Sequence, residues 1–394
     1  MKVVICGAGI AGLALAHRMR THGWDVVVLE KSPGPRTQGY MIDFFGAGYD
    51  AAEAMGLLPA LDERGYRIAE AQYVDERGRV RARLGFAQFG ATVDGRLLSL
   101  MRPDLEAVLR EGLPDGVDLR FATSITDVGN GPDGVRVTLT DGSALDADLL
   151  VGADGIHSTV RRLVFGEERR FLRYLGFHVA AYLFRDAVIE AGIRDRYAIT
   201  DTAGSQMGFY GLRDGRVATF AVHRTPDPAL PSDVRAAVRA AYGSLGWIAP
   251  RALRHCPASE DIYYDQIAQI VLPHWSAGRV TLVGDACYAV SPLAGQGASL
   301  GVGGAYVLAE ELARAGSIEA GLQHYEQAFR PVAEEKQQAG RQTARWFLPA
   351  STLQVRLRRV ALALARLPGL DRAVATSIAG KPTAVVSRLA RQNG

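Results

Sequence analysis

The chain has 394 residues, 48% of them hydrophobic and 22% charged, with a formal net charge of +3. That length holds one large or two medium domains, and the balance is that of an ordinary globular protein. So small a charge speaks against a nucleic-acid partner, and the lack of an apolar run of about 18 residues speaks against a membrane span.

Residues 3–6 read as a short apolar strand. Gly7, Gly9, Ala11 and Gly12 follow in a G-x-G-x-x-G loop, and a helix runs through Leu13, Ala16 and Met19. A second apolar strand, 26–29, ends at Glu30. Such a β-α-β unit binds dinucleotides. The glycines allow a tight turn, close approach to a pyrophosphate and close helix–strand packing, and the acid accepts from ribose hydroxyls. The alternative is a Gly-rich turn in a non-binding α/β unit. Because the chain opens on a strand, no signal peptide is expected.

A Pro/Gly loop, 32–39, carries Arg36, which is either a ligand or a solvated charge. Residues 40–43 read as a strand, 49–55 as a helix, and 73–80 with 82–86 as paired strands around Gly78. Residues 98–103 lead into a helix over 104–110, with Pro103 near its start. Strands are expected at 117–122, 135–139 and 144–146, with Asp141-Gly142 as a hairpin turn. A buried strand at 149–153 precedes Asp154, Ser158 and Arg161, which open a helix. Asp154 and Arg161 could also be only a buried ion pair, and His157 between them reads as a surface or packing residue.

Residues 171–184, 206–212 and 217–223 suggest a second, antiparallel layer, with a helix at 232–242. The stretch 279–312 is the most informative. A buried strand, 280–283, stops at Gly284-Asp285. A loop with Pro292, Gly295, Gln296 and Gly297 then opens a helix whose buried stripe is Leu300, Ala305, Leu308 and Leu312. A carboxylate at a strand end beside a helix N-terminus is suited to sugar hydroxyls and to negative charge. Residues 317–345 read as helical, and 355–367 as an amphipathic basic helix that packs on the body, on a dimer partner, or on a membrane surface. Cys6, Cys256 and Cys287 stand far apart with no disulfide or metal spacing, so a reducing, cytoplasmic setting and no metal site are expected.

Three segments together resemble the fingerprints of group A FAD-dependent monooxygenases, the para-hydroxybenzoate hydroxylase type of aromatic hydroxylase. They are Gly7–Gly12 with Glu30, the Asp154-Gly155…Ser158…Arg161 segment, and Gly284-Asp285…Pro292…Gly295-Gln296-Gly297. The likeness covers about residues 1–345. The stretch Gly39–Asp43, followed by a helix ending at Gly56-Leu57-Leu58, resembles the branch of tetracycline-inactivating and antibiotic-tailoring monooxygenases.

The resemblance implies an α/β fold: a Rossmann-like, GR2-type FAD-binding domain, an inserted antiparallel-sheet substrate domain and a C-terminal helical segment. The implied order is FAD domain 1–72, substrate strands 73–100, FAD domain 101–170, substrate domain 171–274, FAD domain 275–345 and helical segment 346–394. It places Gly7, Gly9, Ala11 and Gly12 at the FAD pyrophosphate, and Glu30, Lys31 and Arg36 toward the adenosine end. Arg102 would meet the ribityl–pyrophosphate region and Asp43 the flavin or ribityl chain. Asp285 would hold ribityl hydroxyls or a pyrophosphate-side water. Pro292, Gly295, Gln296 and Gly297 would border the isoalloxazine, and Asp154 would serve FAD and NADPH.

The implied reaction uses NADPH and O2 to insert one oxygen atom into an aromatic or polycyclic natural product or antibiotic, by way of a flavin C4a-hydroperoxide. Epoxidation, Baeyer–Villiger insertion, and a flavin reductase or cyclase of the same fold are the alternatives. The catalytic residue stays open. His178, His223, Tyr210 and Gln206 are candidates that could equally be plain sheet residues, and Phe177, Phe209 and Phe220 offer either aromatic surface or core. A monomer or homodimer is expected.

Overall fold

The computed structural model describes residues 1–36, 38–292, 295–364 and 384–392. The chain opens with β1 (Lys2–Cys6), α1 (Ile10–Thr21) and β2 (Asp25–Leu29). Next come β3 (Met41–Phe45), α2 (Ala47–Ala54), α3 (Leu58–Arg64), β4 (Glu70–Val74), β5 (Val80–Gly85), α4 (Phe86–Thr92), β6 (Leu97–Met101) and α5 (Arg102–Glu111). They are followed by β7 (Val117–Arg120), β8 (Ile125–Asn130), β9 (Val135–Leu139), β10 (Ala144–Ala147), β11 (Leu149–Gly152) and α6 (Thr159–Val164). A long excursion holds β12 (Leu172–Ala181), β13 (Leu183–Arg185), α7 (Ala187–Ile193), β14 (Arg196–Thr202), β15 (Ser205–Gly211), β16 (Arg216–Arg224), α8 (Val234–Tyr242), α9 (Ala249–Arg254) and β17 (Tyr263–Ile270). The chain returns through β18 (Ser276–Ala277), β19 (Val280–Leu282), α10 (Asp285–Tyr288), α11 (Gly297–Arg314) and α12 (Ile318–Phe347), then α13 (Thr352–Leu364) and α14 (Val385–Arg391).

The first sheet runs β18-β19-β11-β1-β2-β7, with every pair parallel except β18·β19. Its central strands are near-continuous Val/Ile/Leu and are buried throughout, as a sheet covered on both faces requires. Helix α11 is apolar almost all round because α1, α2 and α12 enclose it. A small antiparallel sheet, β10-β9-β8, flanks this body.

The second sheet runs β17-β12-β16-β15-β14-β4-β5, with β13 on β16. It is antiparallel except where β14 pairs β4 in parallel. One face, through Ala180, Met207, Phe209 and Ala221, packs on α8 and α9. The other faces the first domain. Residues 98–101 do not join this sheet: β6 pairs with β3 as a two-stranded ribbon. Strands β8, β14 and β17 lie where the sequence pattern suggested none.

The expected C-terminal helix forms over α13 and lies against the second sheet; the expected residues 365–367 are outside the described chain. Arg358 and Arg359 both reach the fully buried carboxylate of Asp201, Arg359 at 2.7 Å, and Arg358 also stacks on Tyr73 at 4.9 Å. Asp201→Ala would leave the buried Arg358 guanidinium without its counter-charge, at a cost of about 3–5 kcal/mol. Urea unfolding checks this, and a loss below about 1 kcal/mol would contradict the pairing. Helix α14 returns to the first domain, where Arg314 donates to the Leu389 carbonyl at 2.8 Å. No described helix is long and apolar enough to cross a membrane.

Candidate active site

A cleft of about 720 Å³ begins at the carboxyl ends of β1 and β2 and ends against the second sheet. Strand ends of an open parallel sheet leave such a crevice where neighbouring connections go to opposite faces. Gly7, Gly9 and Ala11 line its first part. Gly7 has φ +107°, a left-handed conformation that glycine alone adopts without strain. A Cβ on Gly9 would meet nothing within 4 Å, so the loop presents bare backbone to the cleft. No side chain caps α1 and its first turn has no acid, so its leading N–H groups are open to an anion. Gly12 does not line the cleft. A Cβ there would run into the Gly7 carbonyl oxygen, so this glycine serves packing.

Glu30 follows β2 and receives the N–H groups of Ala8 and Ser32, both at 2.9 Å. Burial pushes its pKa up, the two N–H groups, the Ser32 hydroxyl and the Arg36 charge pull it down, and the net shift is downward. It is therefore an anchored anion with lone pairs left for a ligand. Lys31 and Arg36 stand beside it in the same wall.

Arg102 and Asp285 hold the middle of the cleft. Arg102 begins α5 and pairs with Glu106 one turn on, at 3.2 Å. Burial lowers its pKa, Glu106 and neighbouring charges raise it more, and the guanidinium stays charged. Asp285 begins α10, and its carboxylate takes no hydrogen bond from any described residue. It is open to the cleft but walled by protein elsewhere, and that burial raises its pKa against the pull of Arg102. Pro292, Gly295 and Gly297 continue this wall, and Gln296 is the buried N-cap of α11 behind it. The first turn of α11 carries neither an acid nor a side-chain cap.

Asp154 lines the cleft but pairs with no described arginine. It caps the next segment, accepting the Ser158 hydroxyl at 2.5 Å and the N–H groups of Thr159 and Val160 at 2.7 and 3.1 Å. The buried Arg161 pairs instead with Glu168 at 2.9 Å and donates to the carbonyls of Ile156 and Ala286, at 2.5 and 2.9 Å. It thereby ties the Asp154 segment to the helix of Asp285. His157, read as a surface or packing residue, sits at the cleft edge and bridges Glu168 at 3.0 Å and Asp265 at 3.3 Å. Asp265 foremost, then Glu168, raise its pKa to about 9 against burial, so it is a cation tying the first domain to β17.

The far wall is aromatic. Tyr40 packs against Phe220 and Tyr263 with centroids at 5.1 and 5.4 Å. Tyr197 stacks on Tyr210 at 4.1 Å and 5°. Asp43, expected near the flavin, lines this end of the cleft and accepts the Ser99 hydroxyl at 2.6 Å. Of the four catalytic candidates only Tyr210 lines the cleft. His178 and His223 lie on the opposite, helix-packed face, against each other at 5.6 Å and bonded to Tyr264 and Tyr242, each at 3.0 Å. Burial lowers both their pKa values, that of His223 to about 4, with His178 adding to its shift. Gln206 is buried deeper in the sheet, as are Phe177 and Phe209. Tyr197 is not singled out by the sequence, although its strand holds the aromatic and β-branched residues of Tyr-Ala-Ile-Thr.

A glycine loop, an acid after β2 and a carboxylate after β19, facing one long cleft under a second sheet, define a dinucleotide-binding oxidoreductase class. The residues fit FAD: bare backbone and an open helix end for two phosphates, acids for sugar hydroxyls, and an aromatic chamber beyond. The family model described as FAD binding domain matches residues 1–339. The chain is 36% identical over 343 residues to an uncharacterized protein of Mycobacterium tuberculosis, spanning 85% of this chain and 91% of that one. It is 32% identical over 349 residues to a flavin-dependent monooxygenase of an unknown prokaryotic organism, spanning 86% and 88%. The crystal structure of the tetracycline destructase Tet(51) superposes with TM-score 0.80 at 25% identity, over 97% of this chain and 99% of that one. The chain belongs to the FAD-dependent monooxygenases of the para-hydroxybenzoate hydroxylase-like family.

Proposed function

We propose that this enzyme uses NADPH and O2 to insert one oxygen atom into an aromatic or polycyclic small molecule, a natural product or antibiotic. The observation that carries the reading is the continuity of the cleft, from the glycine loop at one end to the Tyr197–Tyr210 wall at the other. Likeness to a tetracycline destructase supports a polycyclic substrate.

Glu30 would accept from the adenosine ribose, and the Gly7–Gly9 backbone with the end of α1 would hold the pyrophosphate. Arg102 would balance the phosphate charge. Asp285 would accept from the ribityl hydroxyls. Pro292 and the Gly295–Gly297 backbone would border the ring, with the positive end of α11 favouring negative charge on its pyrimidine edge. FAD held by these residues would supply the redox chemistry, hydride acceptance from NADPH and oxygen transfer to the substrate. Tyr40, Phe220 and Tyr263 keep water from the reacting atoms.

The test is anaerobic stopped-flow mixing of the FAD-loaded protein with NADPH, alone and with tetracycline or other phenolic polycycles. Bleaching of the flavin that one polycycle accelerates supports the reading. A flavin that NADPH never bleaches contradicts it.

A further inference from the structure

The two faces of β3 have different neighbours. Ile42 and Phe44 turn into the core of the first domain, where Phe44 is fully buried. Met41 turns the other way and packs with Tyr210 of the second sheet and with Leu212 just beyond β15. Asp43 shares the face of Met41, since side chains alternate along a strand. Its carboxyl therefore looks toward the substrate end of the cleft rather than toward the nucleotide loop.

Oδ1 of Asp43 accepts the Ser99 hydroxyl at 2.6 Å. Oδ2 takes no hydrogen bond from any described residue. Near it lies the stacked pair Tyr197 and Tyr210, and neither phenol has a described hydrogen-bond partner. Gly208 makes room for that stack, because a Cβ there would enter the Tyr197 ring. The cleft thus ends in a flat ring surface beside one open carboxylate oxygen. The imidazoles of His178 and His223 lie behind the sheet.

We propose that Asp43 accepts the proton of a phenolic or enolic substrate hydroxyl, with the Tyr197–Tyr210 stack holding the ring beside it. The assignment rests on the oxygenase reading and names the group on the substrate that the site selects. The substrate O–H bond breaks, its proton goes to Oδ2, and the electron pair stays on the substrate oxygen. Asp43 becomes the neutral acid. The oxyanion enriches the ring carbons ortho and para to it, which are the carbons an electrophilic oxygen attacks.

The surroundings suit a base. The groups facing Asp43 are the Ser99 hydroxyl from β6 and the phenols of Tyr197 and Tyr210 from β14 and β15, with Tyr73 of β4 behind them. Arg102, which follows β6, is turned to Glu106. Burial raises the Asp43 pKa to about 6, with Ser99 opposing. It is thus ionised at neutral pH yet more basic than a solvated carboxylate.

The test is binding of 1-naphthol and of 1-methoxynaphthalene to the FAD-loaded wild type, Asp43→Asn and Asp43→Glu, read by perturbation of the flavin spectrum. For the wild type, 1-naphthol should bind about tenfold more weakly at about pH 5 than at about pH 7.5, following ionisation of a group with a pKa of about 6. Asp43→Asn should flatten that dependence and keep its FAD, Asp43→Glu should restore it, and the methyl ether should show none. Flat binding of 1-naphthol by the wild type, no binding at all, an unchanged profile in Asp43→Asn, or loss of FAD from Asp43→Asn would each overturn the assignment. Oxygen uptake with NADPH, measured with the phenolic polycycles on the same samples, separates the two readings. The predicted binding profile without uptake sinks the oxygenase and leaves the proton acceptor standing. Uptake with a flat profile sinks the proton acceptor alone.

Discussion

Asp285→Ala is expected to lower FAD affinity by about 100-fold or more while leaving the fold intact. The carboxylate begins α10 at the end of β19, opens on the cleft and takes no hydrogen bond from any described residue. No hydrogen bond within the described chain is therefore lost when it goes, and Arg102 keeps Glu106 as its ion-pair partner. A ligand hydroxyl does, and each hydrogen bond to a charged group contributes about 1.5–3 kcal/mol. Two such bonds amount to about 3–6 kcal/mol, or about 10²–10⁴ in affinity. The check is flavin content of the purified variant, followed by reconstitution titration. Full retention of FAD would remove Asp285 from the cofactor site.

Gly12→Ala is expected to act on the fold, at a cost of about 3 kcal/mol or more. The new methyl would occupy the space of the Gly7 carbonyl oxygen and come within 3.3 Å of the Ala153 Cβ. Neither can yield cheaply, because Gly7 follows β1 and Ala153 follows β11, adjacent strands in the centre of the first sheet. Gly9→Ala is the contrast. Its methyl meets no protein atom within 4 Å and points into the cleft, so stability should hold while FAD affinity falls. Thermal unfolding of the two variants with and without added FAD separates the roles. Equal stability of Gly12→Ala and wild type would contradict the packing role.

The glycine-loop end of the cleft was legible in the sequence because its residues are local. A pyrophosphate loop needs glycines at fixed spacing between one strand and one helix, and Gly7–Gly12 with Glu30 shows this within one β-α-β unit. Asp285 and Gly295–Gly297 are legible for the same reason. Arg161 was legible as a buried partner but not as to whose, since Glu168 lies beyond the helix that Asp154 caps.

The substrate end was not legible, because a sheet face is a property of several strands. Alternation separates Phe177 from His178 and Phe220 from His223, but it does not say which set faces the cleft. A register shift between Tyr174 and Phe177 further breaks the parity along β12. Tyr197 was hidden for another reason. Its strand joins β4 in parallel after more than a hundred intervening residues, and no short-range signal announces such a pairing. The resemblance puts Asp43 near the flavin or ribityl chain. Its orientation emerges only once Met41 on the same face is seen to pack against Tyr210.

Transfer of one oxygen atom from O2 to an aromatic substrate can be followed with heavy-isotope oxygen gas. The protein, FAD, NADPH and the polycycle that accelerates flavin bleaching would be incubated under labelled O2 and the product weighed by mass spectrometry. The expected product is heavier by one labelled oxygen atom, with NADPH consumed in equal amount. An unlabelled product, or NADPH consumption matched by hydrogen peroxide with the substrate unchanged, would contradict it.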